Sequence, residues 1–235
     1  MHISNKDQLD STSWKGLHQT LLTTYPQHEP IYCDGSVKEE KSACGVWNPN
    51  FTFKARLPDH SSIFSCELYA IFVIIKHISD KPGKYLILSD SLSSITALRN
   101  PQNSKHGLVH QIAHLISQLE PYSVVIEWIP SHMGIPGNEK ADKIANEALQ
   151  LPETTMKNYF LPDMLKLIKS HYTKIFNKLC NPCPHYTNIS ISNQKDTLSF
   201  LEEPRHLQVP LTRIHLRVTK ATHLHIITKV PFRFN

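Results

Sequence analysis

An α/β protein with one mixed sheet and helices on both faces is the fold class predicted by the order of its elements. Two observations carry that expectation. A hairpin meander of three β-prone runs opens the body of the chain, and further along helices alternate with single short apolar runs. The length of 235 residues is enough for one good core plus an extension.

Residues 1–27 are polar and lack the basic and apolar regions of a secretory leader, so they read as an N-terminal extension. Between Pro30 and Leu57 the runs IYCDGS and ACGVWNPNFTFKARL are strand-like, with Asn48-Pro49-Asn50 as the turn between two of the strands. The run IFSCELYAIFVIIKHI comes next, with apolar residues at helical spacing, Ser61 or Ser62 as N-cap and Lys81-Pro82-Gly83 as its stop. Tyr85 to Leu88 is a short apolar strand ending at Ser89-Asp90-Ser91. Leu92 to Arg99 is a short helix that Pro101 bars from continuing. A helix from about Leu108 to Leu119, a strand over Val124 to Ile129 and a helix from Gly137 to Leu149 complete the body. Pro152 marks a boundary. Beyond it, Asn158 to Leu179 is amphipathic and basic, broken by Pro162, so that residues 151–235 read as a basic C-terminal tail, partly helical or disordered.

Charge divides along the same boundary. Residues 1–150 carry 13 Lys and Arg against 15 Asp and Glu, whereas residues 151–235 carry 12 against 5. An acidic body suits metal chemistry, and a basic tail suits attraction to a polyanion. Five cysteines at irregular spacing do not form a disulfide framework, which predicts an intracellular protein, nuclear or cytoplasmic rather than secreted. The longest apolar run, Leu68 to Ile75, falls short of the roughly 20 residues needed to cross a bilayer, so no membrane association is expected.

Chemistry is concentrated in four acids at unlike positions: Asp34 in the first strand, Glu67 in the first long helix, Asp90 at a strand end and Asp142 in the last helix of the body. Each alone has an ordinary reading: Asp34 before Gly35 as a turn residue, Asp90 as a helix cap, Glu67 and Asp142 as solvated helix residues. Together they suggest one site, because ligands bind in the crevice at the carboxyl ends of α/β strands. Clustered carboxylates are costly to fold around without a cation, and four hard oxygens suit Mg²⁺ or Mn²⁺ better than Zn²⁺. Two such ions about 3.5–4 Å apart would serve metal-assisted phosphoryl transfer. His132, in a Gly- and Pro-containing loop, is a candidate for moving protons. Gly35, Ser36 and Ser91, beside the acids, are candidates for contacting substrate backbone.

The strings IYCDGS, FSCELYAI, LILSDSLSSI and WIPSHMGIPGNEKAD, in that order, resemble the four acidic motifs of the type 1 ribonuclease H family. Their wording is most similar to the ribonuclease H domain of non-LTR retrotransposon reverse-transcriptase polyproteins, over about residues 28–150. His132 stands ten positions before Asp142, as the family's loop histidine stands to its last acid. The resemblance implies a ribonuclease H-like fold with a five-stranded mixed sheet in order 3-2-1-4-5. It implies endonucleolytic hydrolysis of the RNA strand of RNA–DNA hybrids with two Mg²⁺ ions, Mn²⁺ substituting. Asp34, Glu67, Asp90 and Asp142 are then the metal ligands, and His132 assists proton transfer or product release. A monomer is expected, with a reverse transcriptase region of the same element as a possible partner.

The chain departs from the family in two places. The stretch from Arg99 to His106 is short and weakly charged where members carry a basic protrusion, and Ile63 and Phe64 stand where asparagines commonly precede the glutamate. The tail string LTRIHLRVTKATHLHIITK resembles the segment after the nuclease domain in those elements, and Cys180, Cys183 and His185 offer fewer ligands than structural zinc needs. Two competing functions remain open at this point: a retrotransposon-derived relic that binds nucleic acid without turnover, and a transposase or integrase-like strand transferase.

Overall fold

The computed structural model describes residues 11–120, 123–152, 154–155 and 159–180. The element order is α1 (Ser11–Thr24), β1 (Glu29–Lys38), β2 (Lys41–Asn48), β3 (Phe51–Leu57), α2 (Ile63–Ile78), β4 (Tyr85–Ser89), α3 (Leu92–Arg99), α4 (Gly107–Ser117), β5 (Val124–Trp128), α5 (Pro136–Ala148) and α6 (Leu161–Cys180). The five strands form one sheet in order β3-β2-β1-β4-β5, as expected. β1, β2 and β3 pair antiparallel, and β1, β4 and β5 pair parallel.

The central strands are buried on both faces. On β1, Ile31 and Cys33 belong to a core shared with α2 and α4, whereas Tyr32 belongs to a second core with Ala141 of α5 and Leu21 and Leu22 of α1. On β4, Ile87 joins the first core, and Leu86 and Leu88 the second. This is the period of two of a strand, so alternate residues serve opposite helix layers. Ile71, Ile74 and Ile75 of α2 are fully buried, and each contributes on the order of 1.5–3 kcal/mol by leaving water.

Local chemistry sets the helix ends. The Ser62 hydroxyl accepts from the Ser65 N–H at the start of α2, and the Ser91 hydroxyl accepts from the Ser94 N–H at the start of α3. Ser91, and not Asp90, is thus the cap. Two differences from the sequence reading stand out. The N-terminal extension contains α1, with Trp14 fully buried. Pro162 begins a helix instead of breaking one: it lies in the first turn of α6, where its missing N–H has no helical partner to lose.

Residues up to Ile168 form one compact unit and those from Lys169 onward another. Of the second unit only Lys169–Cys180, the later part of α6, is described; Cys183, His185 and the basic terminal piece lie outside the described residues. Among the described residues no helix is long and apolar enough to cross a membrane.

Candidate active site

The sheet opens where β4 stops. Ser89, its last residue, pairs with Cys33 on β1, and β1 runs on to Lys38 without that neighbour. Asp34 is the first β1 residue past the pair and Asp90 the first residue past β4, so two acids meet at one notch. This also disposes of the turn reading of Asp34, which lies in mid-strand opposite Gly45 of β2.

Two glycines let helices close on the notch. A Cβ on Gly35 would lie 2.9 Å from Cys66 Cβ and 3.1 Å from the Glu67 nitrogen, so the bare backbone allows the first turns of α2 to rest on β1. A Cβ on Gly45 would lie 2.6 Å from the Ala141 carbonyl oxygen, so α5 sits directly on β2. The first approach delivers Glu67, and the second brings in Asp142, next to Ala141.

Ligand oxygens of Asp34, Glu67 and Asp90 all lie within 4.8 Å of one another. Asp34 is 6% and Glu67 5% exposed, and Asp90 is half-buried. Burial first, then the charges of Glu67 and Asp90, push the Asp34 carboxyl up to about 10. Burial first, then Asp90, push Glu67 up to about 8, against hydrogen bonds from the Gly35 N–H, Asp34 and the Ser89 hydroxyl. The two shifts share one cause. Without a cation, burial and the mutual charge of the cluster favour the pair's keeping a proton between them. Nevertheless Glu67 Oε2 is buried with no hydrogen-bond partner. A buried acceptor left in that state is costly, and a divalent cation among the three carboxylates would satisfy it. The all-oxygen set fits a hard ion.

Asp142 is half-buried on α5 and stands outside that trio, although its charge also raises Asp34. Its Oδ1 accepts from Asn146 Nδ2 at 2.8 Å, and Asn146 Oδ1 accepts from the Ser36 hydroxyl at 3.0 Å. A relay from β1 to α5 therefore orients the fourth acid. His132 is exposed in the β5–α5 loop, with φ of 57°, a left-handed value uncommon for a residue other than glycine. It stands outside the carboxylate cluster.

The three residues read as substrate contacts are built into this frame. Gly35 admits α2 and donates its N–H to Glu67. Ser36 is 8% exposed and holds Asn146. Ser91 caps α3 and donates to Ser94 Oγ at 2.8 Å. Sequence reasoning missed Asn146 and Trp128, whose indole N–H donates to the Asp90 carbonyl at 3.0 Å. The signal for Asn146 was its position four residues after Asp142, on the same helix face; Trp128 had none. Two residues from Asp90, an open groove of about 750 Å³ begins at Leu92 and Ser93 and is lined further by Thr96, Asn100, Asn103 and Lys105.

The raised carboxyls have a measurable consequence for the metal-free protein. A group whose pKa rises on folding stabilises fully below its unfolded value, near 4 here, and that stability is lost as pH climbs through the folded values of about 8 and 10. The metal-free melting temperature is expected to fall between pH 5 and 9, and the rise produced by added Mg²⁺ to grow over the same range, because binding displaces the shared proton. Differential scanning fluorimetry with and without metal reads both slopes.

Comparison with known proteins agrees with this geometry. The family model described as RNase H matches residues 26–150. The Gag-Pol polyprotein of bovine immunodeficiency virus (strain R29) is 30% identical over 141 residues, covering 59% of this chain and 9% of that polyprotein. The chain thus corresponds to a small part of the length of that relative.

Proposed function

The chain belongs to the RNase H family, and from that premise we propose that it is a type 1 ribonuclease H that cuts the RNA strand of RNA–DNA hybrids. One observation carries the reading: three carboxylates from β1, α2 and the end of β4 meet within 4.8 Å, with a buried Glu67 oxygen left unpartnered. Asp34, Glu67 and Asp90 would hold divalent metal, and Asp142 would complete the set from α5. Two Mg²⁺ ions, or Mn²⁺ in their place, would supply the Lewis acidity that activates water and stabilises the leaving oxygen.

The remaining work falls to the chain's own groups. Gly35 and Ser89 steady Glu67 by hydrogen bonding, and the Ser36–Asn146 relay holds the Asp142 carboxylate in orientation. His132, exposed in the β5–α5 loop, would take up or deliver protons as product leaves. The groove along α3 offers hydroxyls, amides and Lys105, groups that read sugar and phosphate without regard to sequence. Such a surface supports hybrid binding even though the Arg99 to His106 stretch is short. The similarity to a Gag-Pol polyprotein and the wording of the motifs support a retroelement polyprotein origin, the motifs pointing to the non-LTR class.

The test is cleavage of a strand-labelled hybrid, with and without Mg²⁺, beside single-stranded RNA and duplex DNA, for wild type and Asp90→Asn. Metal-dependent cutting of the hybrid's RNA strand alone, lost in the variant, is the expected result. Binding without cutting would instead mark a non-catalytic relic, and cutting of duplex DNA a strand transferase.

A further inference from the structure

The family match begins at residue 26, yet α1 lies before it and touches the frame of the site at two points. Trp14 of α1 is 0% exposed and packs edge-on against Trp128, with ring centroids 6.0 Å apart and planes at 84°. Trp128 ends β5, and its indole N–H holds the Asp90 backbone carbonyl at 3.0 Å. Next to it, the Ile129 N–H donates to the Ser89 carbonyl at 3.0 Å. The end of β4, on which the Asp90 carboxylate turns, is thus fixed to β5 by two hydrogen bonds, and the donor of one is the ring that Trp14 braces.

The second point is the histidine loop. Lys15, adjacent to Trp14, lies so close to Gly134 that a Cβ there would be 2.9 Å from its Cε. Gly134 has φ of 69°, two residues after His132 at 57°, so this loop keeps two left-handed residues in place. The Gly134 N–H also donates to Glu139 Oε1 at 3.2 Å. Helix α1 is anchored further along: His18 Nε2 meets the Tyr32 hydroxyl at 2.9 Å, and just past the helix the Tyr25 hydroxyl donates to Glu127 Oε1 at 3.2 Å, one residue from Trp128.

We propose that α1 is a positioning element of the metal centre: Trp14, through Trp128, sets the backbone that aims Asp90, and Lys15 supports the loop that carries His132. The inference rests on the reading of Asp90 as a metal ligand. Groups that orient ligands from outside typically change metal affinity or activity by 10–100-fold when removed, and Trp14 stands one contact further out.

The test uses the full chain carrying Trp128→Phe, Trp14→Ala, Trp14→Phe or Lys15→Gln. Mn²⁺ affinity is measured by calorimetry well below each melting temperature, and kcat and KM on the hybrid are measured separately. Trp128→Phe keeps an aromatic ring beside Trp14 and removes the N–H together with the five-membered ring that carries it. It is expected to weaken Mn²⁺ binding roughly 10-fold and to lower kcat with KM for the hybrid nearly unchanged. Trp14→Ala should do the same to a lesser degree, Trp14→Phe should recover most of the loss, and Lys15→Gln should lower kcat and leave Mn²⁺ affinity alone. Wild-type Mn²⁺ affinity and kcat in both Trp128→Phe and a folded Trp14→Ala would overturn the proposal and leave α1 a mere cover. Should Trp14→Ala fail to fold, Trp14→Leu takes its place, and wild-type Mn²⁺ affinity in Trp128→Phe overturns the proposal in either case. A wild type that binds Mn²⁺ and cuts no hybrid sinks the ribonuclease reading instead, and the affinity series still decides the role of α1.

Discussion

Replacing Asp34 with Asn is expected to lower hybrid cleavage by about 10³-fold or more, since several kcal/mol of transition-state stabilisation depend on the metal it helps to hold. The same substitution is expected to raise the melting temperature of the metal-free protein. Asp34 is buried beside Glu67 and Asp90, and burial first, then the charges of those neighbours, push its carboxyl up to about 10. A carboxamide of the same shape cannot ionise as pH rises, so it escapes the cost of a buried charge there, and it keeps a donor for Glu67. Stability and activity therefore move in opposite directions, which a folding defect cannot mimic. Unfolding scans in EDTA beside single-turnover cleavage check both, and a metal-free protein less stable than wild type would refute the account of the cluster.

Gly35→Val is expected to be the most damaging change away from the acids. The new Cβ would meet Cys66 Cβ at 2.9 Å, the Glu67 nitrogen at 3.1 Å and Ile63 Cδ1 at 3.1 Å. Cys66 Cβ and the Glu67 nitrogen are fixed to the α2 backbone and cannot swing aside, so the helix itself must move. Overpacking of this kind costs about 1–3 kcal/mol, which in a chain of this size is about 2–4 °C in Tm per kcal/mol. The catalytic loss is larger, because displacing a working group by about 1 Å can cost 10²-fold. Gly35→Ala should fall between, and melting curves with cleavage rates for the two proteins order the series. Near-normal cleavage in folded Gly35→Val would show that α2 need not lie against β1 for Glu67 to act.

The parts of this architecture that depend on local pattern were legible in the chain. Helix α3 occupies Leu92–Arg99 as read, because Ser91 caps it and Pro101 ends it. The meander announces itself by β-prone runs around Asn48-Pro49-Asn50, and the order of the four acids gives the family. Helix α1 escaped because Trp14, Leu17, Leu21, Leu22 and Tyr25, although at helical spacing, are diluted among polar residues and lie ahead of every motif. Pro162 was misread because proline is a breaker inside a helix and a favourable residue in its first turn. Around the site, ligand identities are local and their supports are not. Ser36 reaches Asn146 across 110 positions, and Trp128 reaches Asp90 across 38. No spacing rule encodes such partners, because only the folded sheet makes them neighbours.

Strand β3 is one edge of the sheet, and residues just past the family match lie beside it. The Thr155 N–H donates to the Arg56 carbonyl at 2.7 Å, and Arg56 Nη1 donates to the Leu151 carbonyl at 2.8 Å. An uncovered outer strand is a template for another chain. Leu151 and Thr155, outside the family match, therefore act as a selvedge at Arg56: they occupy backbone and side-chain groups on that border which another strand would otherwise use.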